Sequence, residues 1–164
     1  MFGKIKQFFG FVGIDVVLGI PAQIEEGSRK LSGHVQINAT ADQHINKVTV
    51  SMYMGYEVEE EDGYRFERTN IAEWKDETAF EISAGESREI SFTLDLKTYL
   101  DFAWQNEIME KTKANAGSLA HLLNANRTVE DDVNQYFVQA MVDVKGAALD
   151  PSDKKEITLI ARST

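Results

Sequence analysis

The sequence predicts an all-β fold of antiparallel strands packed in layers, a sandwich or a barrel. Three observations predict it. Apolar and polar residues alternate in one segment after another, turn residues separate those segments at near-regular intervals, and the two prolines, Pro21 and Pro151, fall outside the segment centres. Alternation puts every second side chain on one face of an extended chain, so each segment can bury one flank. A proline has no N–H to give to a central ladder, so its exclusion from the centres fits the same reading.

Taken in order, residues 1–12 place Phe2, Ile5, Phe8, Phe9 and Val12 at helical spacing, and predict a short amphipathic N-terminal helix. Period two begins with Ile14, Val16, Val17, Leu18 and Ile20, which suggest a strand whose even positions face the core. Glu25-Glu26-Gly27-Ser28 is a turn, with Gly27 free to take positive φ. Leu31, Gly33, Val35, Ile37 and Ala39 then alternate with Lys30, Ser32, His34, Gln36 and Asn38. A turn at residues 41–44 leads to a longer strand with Val48, Val50, Met52, Met54, Tyr56 and Val58 on one face and Thr49, Ser51, Tyr53 and Glu57 on the other.

Residues 59–63 make a hairpin loop. Residues 64–74 return as a less regular strand, and residues 78–82 form a short one. Ala84-Gly85-Glu86 turns the chain into the alternation of Ile90, Phe92 and Leu94. Tyr136, Val138, Ala140, Val142 and Val144 give another strand, and Ile157, Leu159 and Ala161 close the series. Residues 97–126 break the rhythm. Tyr99, Leu100, Phe102, Ala103, Trp104, Ile108 and Met109 fit a helix, Gly117 punctuates it, and Leu119, Ala120, Leu122 and Leu123 resume a second. This segment reads as a helical insertion between two strands, and long insertions in compact domains are often functional.

Composition narrows the function classes. A chain of 164 residues favours one domain, here residues 1–164, with a sizeable core. It has no cysteine, which excludes disulfides, thiolate zinc sites and cysteine nucleophiles. A net charge of −10 repels phosphate backbones and argues against nucleic-acid binding. Lys4 and Lys6 beside Phe8 and Phe9 allow at most peripheral membrane contact through the N-terminal helix. The same residues, with the apolar run at 8–14, have the outline of a signal peptide. Asp15 interrupts that run and no small-x-small cleavage site is clear. The expectation is a cytoplasmic protein, the alternative an exported cell-surface β-sandwich module. In the cytoplasm the sequons at Asn38 and Asn126 carry no meaning.

No catalytic, cofactor or metal constellation is expected. His34, His44 and His121 lie on a polar strand face, in a turn and in the insertion, without ligand spacing. No Gly-x-Ser-x-Gly or phosphate-binding glycine motif occurs. Glu57, Glu59, Glu60, Glu61 and Asp62 read as a solvated hairpin tip rather than a calcium loop. Asp150-Pro151-Ser152-Asp153 reads as a proline-initiated turn capped by aspartates, and Asp131 and Asp132 as residues preceding a strand. The best candidates for partner binding are Tyr99, Phe102, Trp104 and Ile108, which supply anchors of the type enriched at interfaces. The competing reading is that this stripe covers its own sandwich, as apolar helical faces usually do. Edge strands offer a further route, to a protein partner or to a homo-oligomer.

Several blocks carry a family resemblance. Glu26-Gly27-Ser28-Arg29-Lys30-Leu31-Ser32-Gly33-His34-Val35 resembles the opening of arrestin-like domains, and residues 45–58 their next long strand. Ile82-Ser83-Ala84-Gly85-Glu86-Ser87, leading to Ile90-Ser91-Phe92, is similar to the family's turn and strand. The most specific block runs from Val142-Asp143-Val144-Lys145-Gly146 through Ala147-Ala148-Leu149 to Asp150-Pro151-Ser152-Asp153. It resembles the end of the first domain in bacterial sporulation-control proteins of stage-zero class M. The resemblance covers about two thirds of the chain and implies an arrestin-like immunoglobulin-type antiparallel β-sandwich. It also implies a regulatory or scaffold role by protein binding, with no catalytic residues to carry over. Two departures are expected: relatives usually carry a second arrestin-like domain, and the insertion at 97–126 replaces their short proline-containing loop.

Overall fold

A computed structural model describes residues 13–96 and 135–162. They form nine strands: β1 Ile14–Gly19, β2 Gln23–Glu25, β3 Lys30–Ala39, β4 Gln43–Glu60, β5 Gly63–Asp76, β6 Phe80–Ile82, β7 Ser87–Asp95, β8 Gln135–Val144 and β9 Ser152–Ile160. There is no helix among the described residues. The expected helix at 1–12 and the expected insertion at 97–126 lie outside them.

The strands divide into a small sheet, β1-β3-β7, and a large one, β2-β9-β8-β4-β5, with β6 on β4 beside the end of β5. One apolar core joins the two. Ile14, Val16, Leu18, Leu31, Val35, Ile37, Phe92 and Leu94 come from the small sheet, and Val48, Val50, Met52, Met54, Tyr136, Val138, Ala140, Val142 and Ile157 from the large one. Burial of each large aliphatic side chain stabilises by about 1.5–3 kcal/mol against exposure. This is why the alternating positions, and not local propensity, set the sheet faces. The predicted parity holds in β1, β3, β7 and β8, and in β4 for Val48, Val50, Met52 and Met54: in β1, Ile14, Val16 and Leu18 are buried while Val17 is exposed.

Several local features have direct causes. Gly27 (φ 79°) and Gly85 (φ 83°) occupy left-handed turn positions that side chains rarely adopt. β4 and β5 meet in a tight hairpin at Glu61 and Asp62, and their register shifts between Met52 and Tyr53, where Ile71 is the extra residue on β5. That bulge is the irregularity that the pattern of residues 64–74 suggested. The short strand expected at 78–82 is reduced to Phe80–Ile82, because Asp76 accepts a hydrogen bond from the Thr78 N–H (3.0 Å) and turns the chain there.

Two elements were not expected in this form. The three-residue β2 pairs parallel to β9, with Ile24 opposite Leu159, after Pro21 has carried the chain from one sheet to the other. β9 begins at Ser152, earlier than its apolar residues suggest, and ends before Ala161, which is exposed.

Candidate interaction surfaces

Two polar residues stand elsewhere than their local sequence implies. His44 belongs to β4, not to a turn, because β6 pairs with Gln43–Ile45 and extends the ladder. Its Nδ1 lies 2.6 Å from Oε1 of Glu81, the residue directly opposite. Asp153 is no turn cap. It lies in β9 opposite Ala140, on the core-facing parity shared with Ile157 and Leu159, and is 7% exposed. Its Oδ2 accepts a hydrogen bond from the backbone N–H of Leu18 at 2.9 Å. Leu18 sits on the outer edge of the small sheet, so this bond ties β1 to β9 across the sandwich.

The ladders determine which backbone groups face outward. Glu86 C=O accepts from Ala39 N–H, and Leu96 N–H donates to Arg29 C=O, so the even-numbered residues of β7 bond to β3. Antiparallel pairing then turns the N–H and C=O groups of Glu89, Ser91 and Thr93 to the opposite side. No strand among the described residues takes that side of β7.

The other edges are protected. β1 is tied at Leu18, β2 has three residues, and β5 is bulged and carries Glu73 and Lys75, whose charged ends are 3.0 Å apart. β7 has nine residues, no bulge and no proline. Bulges, charge and short length are the usual defences of a sheet edge; β7 is long and unbulged, and its defence is charge alone, from Arg88, Glu89 and Asp95. Its solvent face carries the hydroxyls of Ser87, Ser91 and Thr93 interspersed with the carboxylates of Glu89 and Asp95. Ser32 and Thr93 hydroxyls are 3.0 Å apart, and the Ser87 hydroxyl donates to Asn38 at 2.7 Å. His34 stands on the same face, with its ring against the backbone of Gly19.

The outer face of the large sheet is different in character. Tyr53 on β4 and Phe137 on β8 are register partners and stack with ring centroids 5.5 Å apart. Arg68 lies 5.0 Å over Tyr53 from β5, and Lys154 lies 5.0 Å over Phe137 from β9. The result is a stripe across four strands, a stacked pair with a cation at each end. Tyr53 is 2% exposed although its parity points away from the core. Burial raises the pKa of its phenol, and Arg68 opposes that rise through its charge and a hydrogen bond. Parity alone had placed Tyr53 on this face; the stack could not be read without the register of β4 against β8.

Tyr99, Phe102, Trp104 and Ile108, the expected partner-binding residues, lie outside the described residues, as do His121, Asp131 and Asp132. No helix among the described residues is long and apolar enough to cross a membrane, which says nothing about membrane-spanning strands.

These features define a class: a two-sheet β-sandwich in which no described strand pairs with the outer side of β7. The family follows from comparison. A profile of the Spo0M family, described as SpoOM protein, matches residues 2–112, and the chain belongs to that family. The solved structure of Spo0M, a sporulation control protein from Bacillus subtilis, matches with a TM-score of 0.57 and 18% identity over 91% of this chain. At that identity the likeness concerns the fold. The chain spans about half (49%) of the length of that structure. Among curated proteins none matches.

Proposed function

We propose that this chain is a non-catalytic regulatory or scaffold protein, with an arrestin-like sandwich forming a single domain, that binds another protein in the cytoplasm. The observation that carries the reading is the open edge of β7. Three successive outward residues, Glu89, Ser91 and Thr93, offer backbone donors and acceptors to an incoming strand. Strand addition takes affinity from such main-chain bonds and specificity from the side chains beside them. Tyr99, Phe102, Trp104 and Ile108 begin four residues beyond the end of β7, so anchors and edge are neighbours along the chain. Family membership supports regulation as the purpose of the contact.

The test is affinity capture from the source cells with the full chain, beside Ser91→Pro and Phe102→Ala/Trp104→Ala variants. Proline removes the Ser91 N–H from the edge and leaves the β3 ladder intact. The expected result is a protein retained by the wild type and lost by both variants, with unchanged circular dichroism. A retained set identical across all three chains would refute the reading.

A further inference from the structure

We infer that the strand taken up by β7 is β7 of a second copy of this chain, running antiparallel about a two-fold axis through Ser91. The inference rests on the reading that this edge accepts a strand, and it names the strand. An isologous contact requires a surface that is complementary to itself.

Full overlap of Ser87–Asp95 with its copy puts Ser91 on the axis. Glu89 then stands opposite Thr93, Ser87 opposite Asp95, Arg88 opposite Leu94 and Ile90 opposite Phe92. Every carboxylate meets a hydroxyl side chain, and no like charges face each other. Outward backbone groups meet outward groups, because all residues involved in the new ladder are odd-numbered. Moving the axis to Glu89 sets two carboxylates face to face, and moving it to Thr93 removes much of the overlap. The two small sheets would join into one, in the order β1-β3-β7-β7-β3-β1. Since each copy carries a net charge of −10, the long-range force is repulsive. Salt screens it, with a Debye length of about 8 Å at 0.15 M, so added salt favours pairing.

The absence of cysteine makes the test clean. Residues opposite each other in an antiparallel pair have Cα atoms about 4.5–5.5 Å apart, within the span of a disulfide. Ser91→Cys is therefore expected to form a linked dimer under mild oxidation much faster than a control at the exposed turn residue, Ala148→Cys. Sedimentation of the unmodified chain is expected to show twice the monomer mass, with dimer increasing as salt is added. Thr93→Glu, which places a carboxylate opposite Glu89 twice, is expected to abolish the dimer; Thr93→Lys is expected to hold it to lower concentration. A chain that stays monomeric, equal cross-linking at both cysteines, or equal behaviour of the two Thr93 variants overturns the inference. If the chain is monomeric and the Ser91→Pro variant still loses its captured partner, the edge binds a foreign strand. If capture is also unaffected, both readings fall.

Discussion

On the seam between β1 and β9, a buried carboxylate crosses from one sheet to the backbone of the other; on the opposite seam, where β7 faces β5 and β6, ring and cation contacts join the strands. Asp153 takes the Leu18 N–H that the β1 edge would otherwise leave exposed, in surroundings where Leu18 itself is 0% exposed. Across the sandwich, Arg88 of β7 lies 4.1 Å over the ring of Phe80 in β6, and Trp74 and Phe92 touch at 6.0 Å between centroids. The first seam uses its edge hydrogen bonding to hold the layers together. The second leaves the outward hydrogen bonding of β7 without a described strand to take it, which is the basis of the proposed contact. On the proposed reading, stability and recognition are divided between opposite sides of one small fold.

The largest expected effect comes from breaking the tied seam. Asp153→Ala strands the Leu18 N–H inside the protein, and an unsatisfied buried donor alone costs about 1–3 kcal/mol. Asp153→Asn keeps an accepting oxygen and is expected to lose less. Urea unfolding checks both, with a lower midpoint and an unchanged slope as the signature of lost stability rather than altered compactness. If Asp153→Ala unfolds at the wild-type midpoint, apolar packing alone closes that seam and the contrast fails.

Next come the glycines that let β1 and β3 lie close together. A Cβ on Gly33 would collide with the carbonyl oxygen of Gly19, a backbone atom that can yield only if the strands separate. Gly33→Ala is expected to cost about 1–3 kcal/mol, the range for overpacked interiors. A Cβ on Gly19 would instead collide with the ring of His34, which is exposed and can rotate away. Gly19→Ala is therefore expected to cost less, and His34→Ala in the same chain to restore the difference. Equal losses for the two glycines would show that β1 yields as a unit.

These cases also show what the sequence reveals and what it conceals. β1, β3, β4, β7 and β8 were legible because apolar residues recur at every second position over five residues or more, long enough for parity to speak. β2 was not, since Gln23, Ile24 and Glu25 offer a single alternation and its partner, β9, lies at the far end of the chain. Asp153 was concealed by chemistry: a carboxylate two residues after Pro151 looks like a turn residue, although it shares its parity with Ile157 and Leu159. The free edge was concealed by topology. Ser87–Asp95 looks like any half-buried strand, and only the order β1-β3-β7 makes it terminal. The aromatic residues expected to bind a partner, Tyr99, Phe102, Trp104 and Ile108, fall outside the described residues.

On the open seam, Arg88→Ala removes the cation over Phe80. Such contacts are worth about 0.5–1 kcal/mol at exposed sites, and the Arg88–Glu86 ion pair, 3.8 Å long with both side chains about 40% exposed, adds little. The expected loss is thus smaller than for Asp153→Ala, and the same urea experiment compares them on one scale. A larger loss than Asp153→Ala would reverse the assignment of the two seams.

The smallest effect is expected at the corner where β6 joins β4. A carboxylate can only accept, so the Nδ1 of His44, 2.6 Å from Glu81, must carry the hydrogen of that bond. The His44 side chain is 34% exposed and that of Glu81 78%, so water competes for both ends. His44→Ala is expected to cost less than about 1 kcal/mol, and Glu81→Ala no more, because exposed pairs recover little of what ordering two side chains costs. Since β6 is held to β4 by only three residue pairs, Gln43 with Ile82, His44 with Glu81 and Ile45 with Phe80, a cooperative role for this bond would show as a loss well above that figure. Faster amide exchange confined to Phe80–Ile82 in His44→Ala, with global stability nearly unchanged, is the expected pattern. It would mean that the side bearing the free edge can loosen locally while the Asp153 side keeps the two sheets together.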